Sequence, residues 1–331
     1  MTTVILAPNW LGDVIMALPA MTAVRDGLGG SCVVVARQGA REVARVITSD
    51  VLQSERSVPG TVRLIRRIRT RHPEVIVSFL RSRRAGIIAL GSGARTRVGW
   101  DSGPARFAYA PRAPSARKII HQTQECLNLP IVLGLPAPLV WPDPSLLALD
   151  SVYPANVALA PGACFGPAKR WPQASYIYLA RTLRKATGLP IFLVGSSAEA
   201  ADLDEIARSA GPGVENMAGR TTIPQLASLL RRAHLLVGND SGVAHLAAWM
   251  GASVVVLFGS TSPGWTRPLG PRVHVVYRNE PCSPCFARAC PLGHTNCLTQ
   301  ISPGEVLEHC VNALSRTIHG PRETVEDTPH D

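Results

Sequence analysis

Lysine is nearly absent from this 331-residue chain: Lys118, Lys169 and Lys185 are three of its 34 basic residues. Aromatic residues are also scarce, at 5%. That poverty argues against single-strand nucleic-acid recognition, which needs interleaved stacking rings, and no nucleic-acid module is spelled out. No apolar run reaches the roughly 18 residues of a transmembrane helix. The N-terminal MTTVILAPNWLGDVIMALPAM lacks a basic leader and carries Asp13 in its middle, so it reads as a mature first strand and not as a signal peptide. Charged residues make up only 17% of the chain against 46% apolar ones, which excludes a disordered or fibrous protein.

The length suits two domains of about 150 residues each. Short β-branched runs alternate with helix-period segments, the pattern of parallel sheets covered by helices. In the first half strands are expected over residues 4–7, 32–36 and 75–80, with helices over 13–28, 40–47, 61–70, 84–90 and 116–129. In the second half strands are expected over 156–160, 190–194, 234–237 and 253–258, with helices over 175–187, 198–209, 223–232, 243–250 and 303–316. Between them, residues 130–150 carry Pro136, Pro138, Pro142 and Pro144, which reads as an interdomain linker. The expected division is therefore 1–150 and 151–318, followed by a frayed tail over 319–331 without an apolar face. Two α/β halves so joined imply a cleft, where ligands commonly bind.

Charge is unevenly spread. The net charge of +11 is concentrated in residues 1–150, which hold 19 Lys and Arg against 10 Asp and Glu; the remainder holds 15 against 13. An anionic partner for the first half, or a solvated arginine-rich surface, would each account for this.

Three segments can carry chemistry. GNDSGVAHLAAWMG, residues 238–251, lies between two strands. Asp240 or Ser241 can cap a helix there, and Gly242 lets a ligand approach the backbone, so the free N–H groups would suit a diphosphate. An ordinary cap on a buried helix would look the same, and His245 on the next turn reads equally as structural. In APGACFGPAKRWP, residues 160–172, Lys169 is a point-charge phosphate contact or a solvated loop lysine. In PNWLGDVIMALPA, Asp13 opens a helix after the turn at Gly12, where a carboxylate can accept a hydroxyl proton or simply favour the helix dipole.

Taken in order and spacing, APNWLGDVIMALPAM, PGACFGPAKRWP, AGRTTIPQLASLL, GNDSGVAHLAAWMGASVVVLFGSTSP and CSPCFARACPLGHTNCL resemble the ADP-heptose–lipopolysaccharide heptosyltransferases from about residue 4 to residue 315. Trp10 and the FGPAKRWP form are closer to the type II branch than to type I. The resemblance implies a GT-B fold, two Rossmann-like domains facing each other across a cleft, with acceptor on the first and ADP-sugar on the second. It implies Asp13 as general base, Lys169 with the Ser241–Gly242 backbone on the diphosphate, and Glu199 on the ribose. It also implies Thr221 lining the nucleoside pocket, Asp240 on the heptose and His245 close to the donor. The basic cluster at Arg81, Arg83 and Arg84 departs from the family's mixed polar pattern; Arg81 and Arg84 are acceptor candidates. The implied partners are ADP-heptose and an anionic lipopolysaccharide inner core, with a cytoplasmic location at the inner face of the inner membrane. Another nucleotide sugar, or a sugar-nucleotide epimerase, is the alternative.

No cofactor or catalytic metal is expected. Asp202 and Asp204 spell Asp-x-Asp, but inside a helix residues two apart diverge. Cys282, Cys285, Cys290 and Cys297 form C-x2-C-x4-C-x6-C, with His294 inside. Four thiols so close suggest structural zinc, yet paired CxxC knuckles are missing. A packed loop of reduced cysteines is the expectation.

Overall fold

The computed structural model describes residues 1–149 and 153–319; the expected domain junction at 150–151 and the residues 320–331 of the expected tail lie outside the described residues. The first half contains strands β1 (Thr2–Leu6), β2 (Ser31–Ala36), β3 (Val51–Gln53), β4 (Val75–Ser78), β5 (Thr96–Trp100) and β6 (Arg112–Ala113). Its helices are α1 (Leu11–Leu28), α2 (Gln38–Ala44), α3 (Val58–Arg69), α4 (Arg83–Gly91) and α5 (Gln122–Ile131). The second half contains β7 (Asn156–Ala160), β8 (Ile191–Leu193), β9 (Val214–Asn216), β10 (Ala233–Asn239), β11 (Ser253–Phe258) and β12 (Val273–Tyr277). Its helices are α6 (Gln173–Thr187), α7 (Ala200–Ala210), α8 (Ile223–Arg231), α9 (Gly242–Trp249), α10 (Pro263–Thr266), α11 (Asn296–Thr299) and α12 (Pro303–His319).

The two sheets have the same winding. The orders are β3-β2-β1-β4-β5-β6 and β12-β11-β10-β7-β8-β9, parallel throughout. In each, the first strand of the half sits centrally and the order reverses beside it, at the β1/β4 and β7/β10 pairs. In such sheets ligands bind beyond the carboxyl ends of the strands at that reversal.

Between the sheets lies α1. It buries Val14, Ile15, Met16, Ala17, Leu18, Ala20, Met21 and Val24, a helix apolar on nearly every side. Such a helix has no solvent face, and α1 packs on α5 of its own half and on α9 of the other. One buried apolar cluster therefore runs from the first sheet through α1 and α9 to the second; the outer faces of the two sheets carry separate clusters.

Pro19 sits inside α1 and has no N–H to give the carbonyl of Ile15 four residues back. The proline-rich segment supplies the missing donor: Trp141 Nε1 bonds Ile15 O at 3.0 Å. Next to it, Trp249 Nε1 of α9 donates to Pro142 O at 3.0 Å, and the Ser228 hydroxyl of α8 bridges the backbone N–H and C=O of Leu149. The segment expected to be a linker is thus a strap fastened to both halves.

The expected helix over 116–129 is shorter than its pattern. Residues 116–121 make a turn with Lys118 at φ +68°, and α5 starts only at Gln122. His121 accounts for the late start, because its Nδ1 accepts the Thr123 N–H at 3.2 Å and caps the helix there. Pro130, expected in the linker, stands in the last turn of α5.

Trp141→Phe is expected to lower stability by about 1–3 kcal/mol, because it leaves the buried Ile15 carbonyl without a donor. In a Pro19→Ala background the helix can bond that carbonyl itself, so the same change should cost clearly less. Urea titration of the four proteins checks this; an equal cost in both backgrounds refutes the pairing.

Candidate active site

At the carboxyl edge of the second sheet, neighbouring strands β10, β7, β8 and β9 are followed in turn by Asp240–Gly242, Lys169, Glu199 and Thr221. The residues to which the resemblance gives donor roles thus share one edge of the sheet.

The carboxyl end of β10 is organised by Asn239, which the sequence reading missed. Its Oδ1 accepts from the backbone N–H of Trp171 at 3.1 Å and from the Tyr176 hydroxyl at 3.2 Å. Its Nδ2 donates to Pro161 O at 2.7 Å. One buried amide so ties the β10 terminus to both ends of the Lys169 loop. The loop is further seated by Ala168, whose N–H donates to Arg288 O at 3.0 Å. Gly166 permits this approach: a Cβ there would lie 2.3 Å from the same carbonyl.

Asp240 does not cap α9. Its Oδ2 accepts from Lys169 Nζ at 2.5 Å, Thr261 Oγ1 at 2.7 Å and Thr266 Oγ1 at 3.4 Å. Among the described residues, Oδ1 is the carboxylate oxygen left to a ligand. Ser241 is the N-cap by position, but its buried hydroxyl has no partner and caps nothing either. Both halves of the capping expectation are therefore corrected, and the α9 N-terminus is left with free N–H donors.

Glu199 is 6% exposed, and its Oε2 accepts from the Ser196 N–H at 2.8 Å and hydroxyl at 2.7 Å, a reciprocal cap at the start of α7. Its other oxygen lies over Gly162, where a Cβ would come within 2.0 Å of it.

Against the N-terminus of α9 stands that of α1. Gly12 and Gly242 face each other: a Cβ on Gly242 would be 2.9 Å from Gly12 N and 2.9 Å from Leu11 Cβ. A Cβ on Gly12 would be 3.0 Å from His245 Cδ2. His245 is buried, and burial pushes its pKa down to about 4, so it is neutral at pH 7 and packs between the helices without offering charge.

Asp13, in the first turn of α1, is half-buried, and Gln122 Nε2 donates to its Oδ1 at 3.1 Å. Loss of water raises its carboxyl pKa above the ordinary value; the Gln122 bond and the charges of Lys169 and Arg117 oppose this, while Asp240 adds to it. The structure thus brings Asp13, Lys169, Asp240, Gly242 and His245 into one cluster, with Glu199 and Thr221 further along the edge.

Arg81 and Arg84 part ways. The Arg81 guanidinium lies 3.9 Å from the Trp100 ring centroid and pairs at 2.9 Å with the buried carboxylate of Glu125, which also accepts the Ala116 N–H. It is occupied in holding the 115–116 turn. Arg84 bonds Thr61 Oγ1 at 2.8 Å and Ser54 Oγ at 3.2 Å, and its buried Nη2 has no partner. With Asn9, Arg37, Ser54 and Ser82 it lines a hollow at the carboxyl ends of β1, β2 and β4, the winding reversal of the first sheet.

Cys282, Cys285, Cys290 and Cys297 line one small hollow with His294 and Ala168, and all are free thiols. Among the described residues no group of three or more His, Cys, Asp or Glu side chains is placed to hold a metal ion. The loop's visible work is mechanical, through the Arg288 carbonyl that seats Gly166 and Ala168.

Comparison with known proteins agrees with this geometry. Residues 61–296 match the family model described as glycosyltransferase family 9 (heptosyltransferase). The lipooligosaccharide heptosyltransferase 2 of Campylobacter jejuni is 24% identical over 94% of this chain and 97% of its own length. The lipopolysaccharide heptosyltransferase 2 of Escherichia coli K12 is 32% identical over 54% of this chain and 55% of its own. The solved structure of E. coli ADP-heptose LPS heptosyltransferase II superposes with a TM-score of 0.80 at 24% identity, covering 96% of this chain and 99% of that one.

Gly242→Ala is expected to push α1 from α9, costing about 1–3 kcal/mol as overpacking does. Gly251→Ala, at φ +85° but away from the cleft, supplies a comparison that strains backbone alone. Limited proteolysis should find the strap around Trp141 opened in the first variant and intact in the second; equal protection in both refutes the apposition. Two Rossmann-like sheets with the GT-B arrangement and the family match lead to one assignment: the chain belongs to glycosyltransferase family 9, the heptosyltransferases, and is a glycosyltransferase.

Proposed function

We propose that this enzyme transfers heptose from ADP-L-glycero-β-D-manno-heptose to the heptosyl-Kdo inner core of lipopolysaccharide, with inversion at the anomeric carbon. The observation that carries the proposal is the apposition of Asp13 to Lys169, Asp240 and the uncapped N-terminus of α9. A candidate base on one domain stands beside a candidate anion site on the other.

The chemistry follows from the placement. The Asp13 carboxylate accepts the proton of the acceptor hydroxyl as its oxygen attacks the anomeric carbon. The bond to the diphosphate breaks on the opposite face, and negative charge grows on the departing ADP. Lys169 and the free N–H groups of α9 meet that charge as it develops. Asp240 Oδ1 takes a sugar hydroxyl, Glu199 the ribose, and the turn at Thr221 borders the nucleoside. His245, neutral and buried, keeps α9 against α1 beside the donor.

The acceptor's anionic group is assigned to the hollow of Arg37 and Arg84, where the unpartnered Nη2 of Arg84 awaits an acceptor oxygen. Arg81 supports that side through Glu125 and the 115–116 turn. The exposed arginines Arg63, Arg66, Arg67 and Arg69 of α3, near exposed Val58 and Val62, suit peripheral docking on an anionic leaflet at the cytoplasmic face. No helix among the described residues is long and apolar enough to cross a membrane. A transferase of the same family using another nucleotide sugar would share the diphosphate site, and donor competition separates the two readings.

The deciding assay offers ADP-heptose and lipopolysaccharide truncated after its first heptose, and follows ADP release. Absence of turnover on every heptose-terminated acceptor would overturn the assignment. Asp13→Asn should lower kcat by about 10²–10⁴-fold while donor binding persists; unchanged activity means the proton goes elsewhere. Lys169→Ala should weaken donor binding and turnover together. Since burial raises the Asp13 pKa and the base acts ionised, kcat/KM should fall with acid at a pH above the ordinary carboxylate range. Co-flotation should be strong with phosphatidylglycerol vesicles and weak with phosphatidylcholine; equal recovery on both removes the docking reading.

A further inference from the structure

The base does not stand alone. Gln122, 109 residues away in the chain, places its amide Nε2 at 3.1 Å from Asp13 Oδ1. It is the first residue of α5, the helix packed along α1, so the contact comes from a rigid element and not from a loose loop.

The start of α5 is itself fixed across the cleft. His121 Nδ1 accepts the Thr123 N–H at 3.2 Å, which puts the ring proton on Nε2. That Nε2 donates to the carbonyl of Arg267 at 2.9 Å, immediately after α10 of the other domain. Burial lowers the His121 pKa, so the ring stays neutral and keeps this tautomer near pH 7. The residue that caps α5 is thereby pinned to the domain that carries the donor site.

We propose that Gln122 is the positioning residue of the base: it holds Asp13 Oδ1 so that Oδ2 faces the acceptor hydroxyl, and His121 sets it there when the two domains meet. This rests on the reading of Asp13 as the base. The carboxylate torsion of an aspartate is broad and two-fold, so an unheld Asp13 would spend much of its time with neither lone pair aimed at the substrate. An amide suits the task better than a cation. It orients the carboxylate by hydrogen bonding without a full charge, which would deepen acidity and weaken a base. The charged and titratable groups already facing Asp13 are Lys169 and Asp240 from the donor side, Arg117 from the turn before α5, and the Cys126 thiol one turn along α5. Gln122 is the neutral donor among these groups.

The test is Gln122→Met, which keeps the length of the side chain and removes the donor, with Gln122→Ala as a second variant and a thermal melt confirming the fold of each. Turnover of ADP-heptose with heptose-terminated lipopolysaccharide should fall about tenfold in kcat. The KM for ADP-heptose should stay within about twofold. The acid limb of the kcat–pH profile should move to higher pH, since the lost bond favoured the ionised form. His121→Ala should move that limb in the same direction by less. An unmoved limb and unchanged kcat in folded Gln122→Met, alongside inactive Asp13→Asn, overturns the positioning role and leaves the base in place. Full activity in Asp13→Asn instead removes the base reading on which the role stands.

Discussion

The contact between Gly12 and Gly242 is the constraint on which the active arrangement depends. Two helices, each leaving the central strand of its own sheet, meet N-terminus to N-terminus with no side chain between them. At that point a single added carbon would lie 2.9 Å from the opposite backbone. Asp13 on one helix, Asp240 and Ser241 ahead of the other, and His245 beside them all lie within a turn of it. Helix N-termini repel each other through their dipoles, so this meeting is not favourable by itself. It is held by the apolar surface of α1, which has no solvent face, and by the strap whose Trp141 and Pro142 fasten to α1 and α9. The positive field thus accumulated at the helix ends is what an ADP-sugar, carrying its diphosphate, is fitted to neutralise.

Proline has two opposite uses along this path. Pro19 removes a donor inside α1 and leaves the Ile15 carbonyl open; the proline-rich strap, extended apart from one helical turn over Pro144–Leu146, brings Trp141 to it. A defect in one element is completed by another more than a hundred residues away, so the strap's position is specified by a hydrogen bond and not merely by length.

Much of the architecture was legible in the sequence because buried parallel strands are plain β-branched runs. NVALA and SVVVLF coincide with β7 and β11 as expected over 156–160 and 253–258. Five strands escaped, β3 and β6 because they are only three and two residues long, and the others because their residues do other work. β5 is TRVGW, with Gly99 giving room for the Tyr109 ring and Trp100 carrying Arg81; β9 is three residues long with Glu215 outward; β12 is short of full burial. Site residues followed the same division. Lys169 and Gly242 stand out by rarity or by conformational freedom, and their segments carry the family pattern. Asn239, Gln122 and Glu125 do not: a buried amide or carboxylate looks like any polar residue until the fold supplies partners 9 to 109 positions away. Arg81 and Arg84, adjacent candidates in the sequence, are separated by the fold into a buried ion pair and an open hollow.

Under the proposed role of Asp13 as base, the electrostatics of the cleft explain why a neutral partner suits it. In that role Asp13 must be ionised to accept a proton, yet it is partly desolvated and faces Asp240, both of which favour its protonated form. Lys169 offsets this in the ligand-free cleft, but Lys169 is already paired with Asp240 at 2.5 Å, and a diphosphate would draw on the same cation. Donor binding therefore removes compensation from Asp13 at the moment it is required to act, and adds negative charge nearby. That raises its basicity, which helps proton abstraction, and raises the fraction protonated, which hinders it. Of the groups that favour the ionised form, Lys169 is claimed by the donor and Arg117 belongs to a surface turn. The Gln122 amide is uncharged, and it is anchored by α5 to α1 and through His121 to Arg267. It carries no charge for a diphosphate to draw on, so its hold on the carboxylate does not compete with the donor as that of Lys169 does.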